Sequence, residues 1–168
     1  MAIRVLGAAL LVVLGSSCSA DPGDDRSDGT IGPVGFDRVV ATAIGPDGDR
    51  CDLCLWLADS SSTRSRGLMG VTELGPADGM AFRYPTVHTG NFWMKDTLIP
   101  LSIAFYGPDG SFLDSFDMEP CTADPCPKYP TPRGFHVAVE VPAGDLGAFE
   151  LVAGSELVLT DLPCDRPL

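Results

Sequence analysis

Positive charge is scarce in this chain. Eleven Lys and Arg residues face 23 Asp and Glu, and the formal net charge is −12. A surface this acidic repels phosphate backbones and anionic lipid head groups, which argues against nucleic acid as a partner. Histidine is scarcer still: His88 and His136 are the only two. Neither stands in a recognisable arrangement with a serine or cysteine nucleophile. Spaced Cys and His pairs that would supply four zinc ligands are missing as well. No apolar run approaches the roughly 20 residues of a membrane-spanning helix, and no internal repeat is visible.

Glycine and proline are plentiful, at 19 and 15 of 168 residues. That balance favours many turns and short strands over long helices. The length suits one domain. Residues 1–17 read as a lipoprotein-type signal peptide. Met1 to Arg4 is a short positive start and Val5 to Leu14 an apolar run. Leu14-Gly15-Ser16-Ser17-Cys18 places small residues before a cysteine and resembles a bacterial lipobox, which makes Cys18 the expected lipidation site. Ordinary cleavage after Ala20 is the alternative. Either route exports the chain, and export permits disulfides. The expected location is the outer face of the cell membrane or the periplasm, with the lipid anchor making the membrane a partner. Residues 18–35 form an acidic, Gly-rich flexible tether, and residues 36–168 a single β-rich domain.

Within that domain Phe36 to Ile44 and Cys51 to Ala58 read as a hairpin across Gly45-Pro46-Asp47-Gly48-Asp49. Ser60 to Arg66 suits a short capped helix, ended by Gly67 in a left-handed conformation. Strands follow at Gly79 to Tyr84, Asn91 to Met94 and Pro100 to Tyr106. Gly107-Pro108-Asp109-Gly110 turns the chain into a further strand, Ser111 to Met118. Phe135 to Val141 alternates with Phe135, Val137, Val139 and Val141 inward, which leaves Glu140 on the face of His136 and Ala138. Ala143 to Phe149 is a second short helix, and Glu156 to Thr160 the last strand. Seven or eight short strands with one or two helices describe a mainly β fold, a compact sandwich or partly open barrel.

Six cysteines are present. Cys51 and Cys54 form a C-x-x-C. On a strand, residues three apart point to opposite faces and stand too far apart for a disulfide, so a redox role is disfavoured. Cys121 and Cys126 suit a local disulfide, and Cys164 ties the C-terminus back to Cys54 or Cys51. With Cys18 lipidated, the odd count leaves one cysteine unpaired.

Candidate chemistry gathers around Lys95-Asp96-Thr97. Lysine beside aspartate suits acid–base work or a polar ligand; alternatively Asp96 only accepts turn N–H groups while Lys95 faces water. Phe92 and Trp93 point to opposite faces, one to the core and the other to a cleft wall suited to stacking on a sugar or aromatic ligand. Glu140, in an apolar strand, is either solvated or half-buried against Lys95 or Arg66. Met69, Met80, Met94 and Met118 fill core gaps more readily than they form a soft copper site. No cofactor and no metal is expected.

Four blocks, "RSRGLMG", "DGMAFRY", "NFWMKDTLIPLSIAFYGPDG" and "VAVEVPAG", together resemble domain-of-unknown-function family 192 from about Val39 to Leu159. The resemblance implies a compact β-rich domain, often exported, with no established activity. Its motif residues here include Arg66, Gly67, Leu68, Met69, Gly79, Met80, Phe82, Phe92, Trp93, Met94, Lys95, Asp96, Thr97, Pro100, Leu101 and Glu140. Asp96 stands where Asn is common and Ser102 where Asp is common. The expected function is a membrane-tethered extracytoplasmic binding or accessory module for a small molecule or cell-envelope ligand. Its cleft would use Arg66, Trp93, Lys95, Asp96 and Glu140. The alternative is a hydrolase or transferase-like enzyme, which requires Lys95, Asp96 and Glu140 within hydrogen-bond reach of one another.

Overall fold

The computed structural model describes residues 30–165. Its strands are β1 Thr30–Ile31, β2 Arg38–Ile44, β3 Arg50–Ala58, β4 Val71–Glu73, β5 Gly79–His88 and β6 Asn91–Trp93. They continue with β7 Leu101–Tyr106, β8 Phe112–Met118, β9 Lys128–Pro130, β10 Phe135–Pro142 and β11 Glu156–Pro163. One helix, α1, spans Ser61–Arg66. The signal peptide, Cys18 and most of the expected tether lie outside the described residues.

Turn chemistry sets the two long hairpins. Gly45 N donates to Asp49 O at 2.8 Å and closes β2 onto β3. Gly107 N donates to Ser111 O at 2.8 Å and closes β7 onto β8, with Asp109 accepting from the Ser111 backbone and hydroxyl. These hairpins belong to one seven-stranded sheet of order β11-β2-β3-β5-β10-β7-β8. All its ladders are antiparallel except β3 with β5, which run parallel and are joined through α1. The edge strands meet at one end, where Phe112 N donates to Ser155 O and Leu157 N to Gly110 O. Their contact is a single bridge, Ser111 with Glu156, so the sheet is a partly open barrel rather than a closed one. Pairing begins at Thr30–Ile31, inside the stretch read as tether, because β1 lies parallel to β4 and Gly32 N donates to Glu73 O.

The sheet has an apolar cluster on each face. Leu53, Leu55, Ala81, Tyr106, Val137, Val139, Val141 and Leu151 fill the inner side. Trp56, Met80, Phe82, Ile103, Phe105, Phe135 and Ala138 cover the other, where Leu68, Phe92 and Met94 pack down onto them. The register of β10 slips between Phe135 and Val137. This bulge moves Phe135 to the face of Ala138, against the expectation that it shares a face with Val137. Ala143 to Phe149 forms turns and no helix. The segment is short, holds Gly144 at φ 91° and Gly147, and spends its hydrogen bonds on single turns such as Asp145 N to Pro142 O.

Disulfides join Cys54 to Cys164 and Cys121 to Cys126. Cys51 and Cys54 do lie on opposite faces of β3, Cys51 among the inner cluster. Cys51 is itself disulfide-bonded, so the unpaired cysteine expected from the odd count is not found among the described residues.

Candidate functional site

Helix α1 is only six residues long, and a reciprocal capping box holds it. The Ser60 hydroxyl accepts from Thr63 N, and the Thr63 hydroxyl accepts from Ser60 N. At its C-terminus Gly67 takes φ 49°, ψ −135°. The positive φ matches the expected stop, but ψ lies away from the left-handed helical basin, a combination open to glycine. The chain therefore turns sharply, buries Leu68 and leaves Met69 half-buried beside a small cavity.

Glu140 is a wall of that cavity. It sits mid-strand in β10, opposite Met80 of β5 and Ile103 of β7, and is 4% exposed. β5 comes unusually close here: a Cβ on Gly79 would lie 2.1 Å from Glu140 O. The side chain of Glu140 makes no hydrogen bond or ion pair with any described residue. Burial alone pushes its pKa from an ordinary 4.5 to about 8, so the carboxyl is protonated at neutral pH. The remaining walls are apolar or weakly polar: Leu68, Met69, Phe82, Phe92, Trp93 and Thr97, with Arg64, Ser65, Arg66 and Gly67 on the α1 side. The cavity holds about 40 Å³.

It adjoins a larger open groove of about 500 Å³ that shares Arg64, Ser65, Phe92 and Trp93. Ser61 lines one bank, Tyr84 to Thr86 and His88 the other. Aromatic rings dominate: Tyr84 stacks on His88 at 4.3 Å, Phe92 is buried edge-on to Phe82, and Trp93 is 45% exposed. Arg64 lies 4.7 Å above the Tyr84 ring and donates to the carbonyls of Asp59 and Arg83. Burial raises the Tyr84 pKa, and the nearby Glu140 adds to the rise while Arg64 opposes it. Tyr84 therefore keeps its proton across the neutral range.

Arg66, Met69, Trp93, Thr97 and Glu140 thus converge on one cavity, whereas Lys95, Asp96 and Met80 do not line it. Glu140 is neither solvated nor paired with Lys95 or Arg66, contrary to expectation. Arg66 reaches the other way, donating to Val34 O at 2.8 Å above the Phe36 ring. Lys95 is held by Asp124 at 2.7 Å, a hydrogen bond that raises its pKa. Asp96 is exposed and adopts φ 53°, a left-handed conformation that Asn and Asp tolerate. Its N–H donates to Cys121 O and its C=O accepts from Gly70 N, so it fastens two loops through its backbone. The enzyme reading required Lys95, Asp96 and Glu140 together. The structure separates them, because the first two serve the turn and its disulfide-stiffened neighbour. Met80, Met94 and Met118 are buried in the core, and only Met69 reaches the cavity. Among the described residues no group of three or more His, Cys, Asp or Glu is placed to hold a metal ion.

Sequence reasoning missed Arg64, Ser65 and Tyr84 as lining residues. Tyr84 had a signal: it continues the Met80, Phe82 alternation along β5 onto the face that carries Glu140. Arg64 had none beyond its place one turn before the glycine stop.

Known proteins share the fold of this chain. The chain is 26% identical to a protein of unknown function from Novosphingobium aromaticivorans, whose crystal structure superposes with a TM-score of 0.67 over 82% of this chain and 99% of that one. A Sinorhizobium meliloti protein, described as a "putative transcription regulator", is 25% identical with a TM-score of 0.62, over 76% of this chain and 98% of that one. No curated protein matches. The family model described as an uncharacterized ACR matches residues 43–159, most of the β domain. The chain is a member of domain-of-unknown-function family 192.

Proposed function

We propose that this protein is a lipid-tethered, extracytoplasmic binding module. Its groove takes a ligand that lays a flat face on Trp93 and inserts a small polar tip towards Glu140. The observation that carries the reading is the buried, unpartnered Glu140 at the wall of a cavity that adjoins an aromatic groove. A buried carboxyl without a partner disfavours folding, so its presence in an apolar strand points to a role beyond packing. Exposed tryptophan beside Ser61, Ser65 and Thr86 hydroxyls suits a saccharide of the cell envelope. The disulfides fit an oxidising compartment. A net charge of −12 disfavours nucleic acid as a partner, so the "putative transcription regulator" description of the Sinorhizobium meliloti relative is not extended to this chain.

Isothermal titration against cell-envelope saccharides and peptidoglycan fragments tests the reading. Trp93→Ala should weaken binding about tenfold while the melting temperature stays close to wild type, because the ring is solvent-exposed. Absence of binding across the panel would defeat it. Lipidation at Cys18 is tested by mass spectrometry of the mature N-terminus.

A further inference from the structure

The tip of the ligand has a chemistry that the cavity itself specifies. Resting on the binding-module reading, we infer that Glu140 and its aromatic walls form a receptor for an ammonium group, so that the groove selects amine-bearing ligands such as amino sugars or amine-tipped peptide side chains. Glu140 is the only carboxyl among the lining residues, is almost wholly buried and has no protein cation or donor on it. Phe82, Phe92 and Trp93 are among the lining residues of the same cavity, and aromatic rings attract cations most when water is excluded. The cavity of about 40 Å³ exceeds the roughly 10–15 Å³ that one water-sized group needs. A primary ammonium with its adjoining methylene fits, whereas a sugar ring does not and must stay in the groove outside.

The other charged groups around Glu140 leave this site free. From α1, Arg66 is engaged by Val34 O, and Arg64 by the carbonyls of Asp59 and Arg83 and by the Tyr84 ring. From β5, Tyr84 is neutral. β6 contributes only Phe92 and Trp93, and from the following turn the uncharged Thr97 lines the cavity. Binding is therefore an exchange of charge. The entering ammonium donates N–H bonds to the Glu140 carboxylate, and the proton that the carboxyl held leaves to solvent.

Three probes separate this inference from the reading beneath it: n-butylammonium, n-butanol and the saccharide panel, each titrated into the purified protein. At pH 7, n-butylammonium should bind at least tenfold more tightly than n-butanol, with release of close to one proton, read from the buffer dependence of the binding heat. Its affinity should rise as pH is taken from 6 to 9. Glu140→Gln keeps the neutral shape of the native carboxyl and should fold, yet lose the preference for the amine and the proton release. Equal binding of n-butanol, or amine binding unchanged in Glu140→Gln, overturns the ammonium site while leaving the groove intact. Saccharide binding with no response to n-butylammonium does the same. No binding by any probe overturns both.

Discussion

Glu140 shows what one residue can impose on a strand. Its folded pKa of about 8 stands above the ordinary 4.5, so the native state holds a proton that the unfolded chain gives up. The sign follows: the contribution to stability is fully present below about pH 4.5 and is lost as pH rises through about 8. The full loss is on the order of 5 kcal/mol, since each pKa unit corresponds to about 1.4 kcal/mol. Glu140→Gln does not titrate and should remove this part of the profile. Urea denaturation from pH 4.5 to 9 should find the variant increasingly more stable than wild type towards alkaline pH. Parallel profiles for the two proteins would mean that the carboxyl is hydrated or ionised in the fold. Asp96 makes the opposite point. In the sequence its carboxylate suits either acid–base work or accepting N–H groups of a turn; the structure shows a left-handed backbone and two main-chain hydrogen bonds there.

At the level of elements, the site depends on how closely β5 approaches β10. Gly79 permits the contact, and a methyl there would meet backbone at Glu140 O rather than a side chain that can swing away. Gly79→Ala should therefore push the strands apart and destabilise by about 1–3 kcal/mol, the usual cost of overpacking. It should also disturb Glu140, visible as a change in the pH profile just described. Destabilisation without that change would show that the close approach serves packing alone. The same pair of strands marks the boundary of what the sequence discloses. Alternation over Leu101 to Tyr106 and the Gly-Pro-Asp-Gly turn made the β7–β8 hairpin legible, because period and turn are local properties. Ser60 and Gly67 likewise announced the helix. The slip at Phe135 was not legible, since a bulge shows only once two strands are registered. Nor could the parallel β3–β5 pairing be read, because distant partners are chosen by the whole core. Arg66, Met69, Trp93, Thr97 and Glu140 were separately visible as candidates. Lys95 and Met80 were indistinguishable from them until Asp124 and the core were seen to take those side chains.

For the molecule as a whole, the partly open barrel leaves β11 as an edge, paired only with β2 and interrupted between Leu159 and Pro163. Two devices hold that edge. One is the short bridge to the start of β8. The other is Cys54–Cys164, which fixes the end of the described chain to the middle of β3 across 110 residues of sequence. Cys121–Cys126 spans only five. Loop-closure entropy makes the two unequal: the long closure restricts the unfolded chain by about 5 kcal/mol and the short one by about 2 kcal/mol. Replacing Cys54 and Cys164 together by Ala should therefore cost more than twice the stability lost when Cys121 and Cys126 are replaced. Hydrogen exchange in the Cys54/Cys164 double variant should quicken first along β11, while β10, buried between β5 and β7, stays protected. Equal losses from the two pairs, or exchange that quickens uniformly across the sheet, would mean that the long disulfide does not govern this edge and that the barrel rim holds without it.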